Sequence, residues 1–213
     1  MQYTPGADLA IECDVGEEQQ VIGAVAQVAG EFERLDVAVL AAGVASSAPI
    51  LEMTIYDWDR VQHVNLRGAF LCLRESARAM VAGARPGAIV AITSVSGFLT
   101  DRHIASYTTS KAGLAALVRV AARELGPHKI RVNAVAPGTT DTPMFAVTKG
   151  LPGYRERVVA NTPLGRIGSP AEVAEAVVLL ARAGWVTGQV LAADGGISLF
   201  STVDAGGDME RGA

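Results

Sequence analysis

Residues 88–136, AIVAITSVSGFLTDRHIASYTTSKAGLAALVRVAARELGPHKIRVNAVA, decide the fold. An uncharged run rich in Ile and Val, Ala88–Thr93, is followed by a segment of helical period, Ile104–Gly126, and then by a second run, Arg131–Ala136. Strands buried on both faces read as unbroken apolar runs, and a helix between two of them predicts a βαβ unit with parallel strands. Gly126-Pro127 marks the end of the helix, since proline cannot continue it.

The same alternation continues outward in both directions. Strand Asp36–Ala41 and helix Thr54–Ala82 precede this unit, and helix Glu17–Glu33 and a strand at Asp8–Cys13 precede those. Downstream, Ser169-Pro170 gives an N-cap and a first-turn proline for helix Pro170–Ala183, and Val190–Ala193 reads as the last strand. Five strands and four helices in strict succession predict an α/β, doubly wound parallel sheet in a single domain spanning residues 1–213. Pro137–Gly165 is rich in Gly, Pro and Thr, with one short helix near Tyr154–Ala160; so long an excursion is expected to act as a lid. The polar, Gly-rich tail Ser201–Ala213 is expected to fray.

Composition narrows the functional classes. Of the 213 residues half are hydrophobic, the formal charge is −4, and no Lys/Arg block supplies the basic face that nucleic acid requires. A small molecule is the expected partner. Cys13 and Cys72 are too few for a disulfide framework and sit among apolar neighbours, as packing residues do. The first residues do not read as a secretion signal, and the longest uncharged apolar run, Val37–Ala45, is too short to span a bilayer. A cytoplasmic protein is the expectation. His63 and His128 have no partners at metal-ligand spacing, so no metal is expected.

In doubly wound sheets ligands bind beyond the carboxyl ends of the strands. There, Tyr107-Thr108-Thr109-Ser110-Lys111 opens a helix, and residues four apart share one face about 6 Å apart along the axis. A neighbouring ammonium favours phenolate, so Lys111 is expected to lower the Tyr107 pKa and make it a proton donor and acceptor. Ser94 follows strand Ala88–Thr93 directly, where a hydroxyl can meet a substrate oxygen as charge develops on it; Ser96 is a competing candidate. Asn65 falls in mid-helix, where asparagine is a poor helix former, and suggests a kink or a water site.

Ser94, Tyr107-xxx-Lys111 and Asn65 occur with Leu40-Ala41-Ala42-Gly43, Asn133-Ala134-Val135-Ala136-Pro137-Gly138, Thr142-Pro143, Thr187-Gly188-Gln189 and Asp194-Gly195-Gly196. In this order, from about Asp14 to Ile197, they resemble the short-chain dehydrogenase/reductase family, in particular its 3-oxoacyl-carrier-protein reductases. The resemblance implies a Rossmann-like fold, NAD or NADP as cofactor, and hydride transfer between nicotinamide and a secondary alcohol or ketone. It implies that Tyr107 is the general acid/base, that Lys111 holds the nicotinamide ribose and depresses the tyrosine pKa, that Ser94 polarises the carbonyl, and that Asn65 holds a relay water. Asp14 and Val15 would contact adenine, Ala42 and Gly43 would border the cofactor, and Pro137, Gly138, Thr140 and Thr142 would meet the nicotinamide amide and pyrophosphate. The resemblance also implies a homo-oligomer, dimer or tetramer, formed through the Tyr107–Lys111 helix and the following one. Val95, Ser96, His103 and Met144, with the loop Phe145–Pro163, would wall a mostly apolar pocket.

Two departures accompany it. Leu40-Ala41 stands where the family usually has two asparagines, and no strand followed by G-x-x-x-G-x-G precedes Asp14. The chain is therefore expected to lack the family's opening βαβ unit, a longer product carrying the glycine turn being the active enzyme. The alternative expectation is a non-catalytic module that acts through oligomer contacts.

Overall fold

The computed structural model describes residues 8–145 and 151–199. Four strands, β1 (Val37–Leu40), β2 (Gly87–Ile92), β3 (Ile130–Pro137) and β4 (Val190–Ala193), pair in sequence order, and every pairing is parallel. The helices are α1 (Glu18–Phe32), α2 (Ile55–Gln62), α3 (Ala69–Ala82), α4 (Ala105–Leu125), α5 (Tyr154–Ala160) and α6 (Pro170–Arg182). α2 and α3 form one continuous rod joined by a π-helical turn, His63–Gly68.

β2 is buried on both sides because helices cover both. Ile89 and Ala91 point into a cluster with Leu73, Ala77 and Met80 of α3 and Leu114 and Val118 of α4. Val90 points the other way, into a smaller cluster with Val135 and with Val177 and Leu180 of α6. Burying a Val- or Leu-sized side chain stabilises by roughly 1.5–3 kcal/mol, so these two layers hold the sheet. α6 enters through a complete capping box, with the Ser169 hydroxyl accepting from the Glu172 N–H and the Glu172 carboxylate accepting from the Ser169 N–H. α1 leans on α3, where Arg74 bridges Glu18 and Glu75.

The run Asp8–Cys13, expected as a strand, is not one. Its residues alternate between exposed and half-buried as a strand's would, but among the described residues no strand pairs with it. Alternation gives a strand its faces; only a neighbour gives it a ladder. Among the described residues β1 pairs with β2 alone, and Val37 and Val39 are 44% and 47% exposed on the face away from α3. The helix expected over Thr54–Ala82 is also modified, since the π turn interrupts it around Asn65. The tail Ser201–Ala213 and residues 146–150 of the long excursion lie outside the described residues. Within that excursion α5 forms over Tyr154–Ala160.

Candidate active site

Parallel strands bring all their carboxyl ends to one edge of the sheet, and the sequence-predicted residues follow those ends. Ser94 leaves β2 and caps a 3-10 turn, Val95–Gly97, its Oγ accepting from the Ser96 N–H at 3.1 Å. Ser96 therefore contributes a backbone donor that orients Ser94. The turn lies flat on α4 because residue 97 is glycine: a Cβ there would come within 3.2 Å of the Lys111 and Ala112 backbone. This contact sets Ser94 beside the first turn of α4.

That first turn carries Tyr107. Its phenol faces Ser94 closely enough for the serine to favour its ionised form, and the Lys111 ammonium stands 5.7 Å from the centre of the same ring. Lys111 is only 4% exposed and donates to the Ile92 carbonyl at 2.8 Å, at the end of β2. Burial pulls the Lys111 pKa down to about 8. The tyrosine moves opposite to expectation. Burial pushes the Tyr107 phenol above its ordinary 10, and the neighbouring Ser94 hydroxyl draws it part of the way back. A one-turn spacing places the ammonium by the ring, whereas desolvation of the phenolate outweighs that proximity.

Asn65 occupies the π turn and is fully buried. Its Oδ1 accepts from the Val44 N–H at 2.8 Å, and its Nδ2 donates to the Val44 carbonyl at 2.9 Å and to Ser110 Oγ at 3.0 Å. The side-chain amide thus ties the loop after β1 to α4, and both of its N–H donors are already used. Ser110 passes the connection on by donating to the Tyr107 carbonyl at 2.7 Å. Ser110 was in plain view within the Tyr-xxx-Lys stretch; its role was hidden because its partner is 45 residues away.

The remaining predicted residues line the same edge. Gly43 follows β1, and a Cβ on it would lie 3.5 Å from both Asn65 Oδ1 and Lys111 Nζ, so its bare backbone keeps space open beside the ammonium. Ala42 precedes it. Val15 packs on the π turn against Gly68, while the Asp14 carboxylate accepts from the Gly16 N–H at 2.9 Å at the entry to α1. Pro137 ends β3, and the Gly138 N–H donates to the Ala193 carbonyl of β4 at 3.1 Å. Thr140 donates to the Gly138 carbonyl and Thr142 Oγ1 accepts from the Phe145 N–H, so both hydroxyls brace the loop. His103, expected in the pocket wall, is exposed with a left-handed backbone, φ 72°. Cys13 and Cys72 are free and half-buried, and burial raises the Cys72 thiol to about 11. Among the described residues no group of three His, Cys, Asp or Glu could hold a metal ion, and no helix is long and apolar enough to cross a membrane.

Ser94, Tyr107, Lys111 and Asn65 thus come together at the carboxyl edge of a parallel sheet. The family model described as enoyl-(acyl carrier protein) reductase matches residues 2–198. The chain is 43% identical over 192 residues to cis-4-hydroxycyclohexanecarboxylate dehydrogenase of Sinomonas cyclohexanicum, covering 88% of this chain and 76% of that one. The crystal structure of a short-chain type dehydrogenase/reductase from Mycobacterium marinum superposes with TM-score 0.84 at 36% identity, covering 89% and 75% of the two chains. A structure titled ElxO with NADP bound gives TM-score 0.83 at 28% identity, covering 89% of this chain and 78% of that one. The chain belongs to the short-chain dehydrogenase/reductase family, a family of oxidoreductases.

Proposed function

We propose that this protein is an NAD(P)-dependent oxidoreductase interconverting a secondary alcohol and its ketone, with Tyr107 as general acid/base. One observation carries the reading: the grouping of buried Ser94 and Lys111 about the half-buried Tyr107, with the Lys111 ammonium 5.7 Å from the centre of its ring. The nicotinamide, when bound, supplies or accepts the hydride. In the reducing direction Tyr107 gives its phenolic proton to the carbonyl oxygen, and Ser94 donates a hydrogen bond to that oxygen. Lys111 would hold the ribose hydroxyls of the cofactor, for which the space beside Gly43 is suited, and its ammonium stands near the ring on which the phenolate is left. Burial supports the acid role, because it keeps the unliganded phenol protonated.

Asp14 and Val15 would take the adenine end, Ala42 would border the cofactor, and Pro137, Gly138, Thr140 and Thr142 would take the nicotinamide amide and pyrophosphate. Asn65 holds the loop to the helix through its side chain, so a relay water there would bond other atoms than Nδ2. NADP in a similar structure and a ring alcohol as a relative's substrate support a nicotinamide dinucleotide and an apolar alcohol or ketone. A dimer or tetramer in the cytoplasm completes the proposal. Its formation would cover an open groove of about 770 Å³ along α2 and α3, lined by Tyr56, Arg60, His63 and Phe70.

The test is fluorescence titration with NADH and NADPH, followed by turnover assays with hydroxycyclohexanecarboxylates and 3-hydroxyacyl thioesters. Tyr107→Phe should abolish turnover and keep cofactor binding; near-normal rates in that variant would refute the assignment. Absence of saturable binding would favour the non-catalytic module instead.

A further inference from the structure

Tyr107 sits where an α-helix is weakest. Residues in a first turn lack intrahelical acceptors for their N–H groups, and a capping side chain normally compensates. α4 has none: its N-cap is Ile104, with no side-chain hydrogen bond. The residue before it, His103, is in the left-handed region at φ 72°, which costs a non-glycine residue of order 1 kcal/mol or more. A proposed catalytic phenol thus stands on a strained, uncapped helix start.

The loop Gly43–Pro49 holds this start from outside the helix, through a side chain and a carbonyl, without pairing its free N–H groups. Ser46 Oγ and Ser106 Oγ form a hydrogen bond at 2.9 Å, and Ser106, fully buried, immediately precedes Tyr107. The Ser106 carbonyl accepts from Gln62 Nε2 at 2.9 Å, at the end of α2. The Ala48 N–H donates to the carbonyl of the strained His103 at 2.8 Å. The other side of the loop is anchored by Asn65 on Val44 and by Arg60 Nη2 on the Ala45 carbonyl at 3.0 Å. Ser106 is the point at which loop, α2 and α4 meet.

We infer that the loop Gly43–Pro49 is a strap that tethers the uncapped start of α4, and that Ser106, through Ser46 and Gln62, is a positioning residue for Tyr107. The inference rests on the oxidoreductase reading for its kinetic consequence, but the geometry of the helix start does not depend on it. Displacing a reacting group by about 1 Å can cost a hundred-fold in rate, so loosening the first turn lowers turnover without weakening cofactor binding, which other residues provide.

The experiment compares wild type, Ser106→Ala, Ser46→Ala, the double variant and Ser106→Thr, which restores a hydroxyl. Amide hydrogen exchange over residues 105–109 should accelerate roughly ten-fold in each Ala variant, with the double variant no faster than either single, as expected for one shared contact. In turnover, kcat should fall roughly ten-fold with KM within two-fold, and Ser106→Thr should recover most of it. Ultraviolet titration of the phenol, read as the difference from the matching Tyr107→Phe proteins, should place the Tyr107 ionisation at a changed pH in Ser106→Ala. Unchanged exchange over 105–109 overturns the strap, as do additive effects of the two substitutions. If wild type itself turns over no alcohol, the function reading fails alone, and exchange and phenol titration still decide the role of Ser106.

Discussion

Replacing Lys111 by Met should make the protein more stable at neutral pH while destroying its proposed activity. The Lys111 pKa falls from 10.5 in the unfolded chain to about 8 in the folded one because burial penalises the ammonium. At about 1.4 kcal/mol per unit, carrying the charge into the fold costs roughly 3 kcal/mol. Below pH 8 both states are protonated and the whole cost is present. Between 8 and 10.5 the unfolded state binds the extra proton, so wild-type stability rises with pH; above 10.5 the cost is gone. Met removes the charge at similar volume but leaves the Ile92 carbonyl without its 2.8 Å donor, a loss of about 1 kcal/mol. The variant should therefore exceed wild type by about 2 kcal/mol at pH 7 and fall about 1 kcal/mol below it near pH 11. Urea denaturation followed through Trp58 and Trp185 fluorescence at several pH values measures this directly. A stability difference that stays flat across pH 7–11 would show that Lys111 pays no burial cost, and would sink the account of its pKa.

Three further outcomes are expected. Ser94→Ala removes the hydroxyl that draws the Tyr107 phenol down, so its ionisation should move to higher pH in ultraviolet titration, with turnover reduced about a hundred-fold or more. Gly138→Ala would bring a Cβ to 2.8 Å from the Cα of Asp194; the clash is with backbone, and thermal unfolding should show a loss of about 1–3 kcal/mol. Ser169→Ala dismantles the capping box of α6 and should cost about 1 kcal/mol in denaturant unfolding, with little change in cofactor titration because α6 packs on the far face of the sheet.

What could be read from the sequence depended on the distance between partners. β2, α4 and β3 were legible because their apolar periods are local and strong, and Tyr107 with Lys111 because one helical turn separates them. Asp8–Cys13 misled because a strand pattern says nothing about whether an edge exists to receive it. The sign of the Tyr107 shift was missed because burial is a property of the assembled sheet, not of the Tyr-xxx-Lys spacing. The Ser46–Ser106 pair was invisible for a related reason: its two hydroxyls are 60 residues apart, and serines in loops and first turns carry no signal of their own. Asn65 gave a partial clue, since an asparagine in an otherwise regular helix needs a reason, but the π turn that answers it emerges only when both ends of the rod are docked.

That π turn acts as a phase correction. One residue of an α-helix corresponds to about 100° of rotation, and a π turn absorbs one extra residue without unwinding the rod. Upstream, Val61, Gln62 and Asn65 must face α4 and the strap; downstream, Ala69, Leu73, Ala77 and Met80 must face the sheet. The widened turn at His63–Gly68 lets one continuous rod satisfy both demands. Loss of a single residue from it would be felt less as a shortening than as a twist: either the Asn65 clamp or the Leu73 stripe would swing out of place, so proton chemistry and core packing share one angular setting.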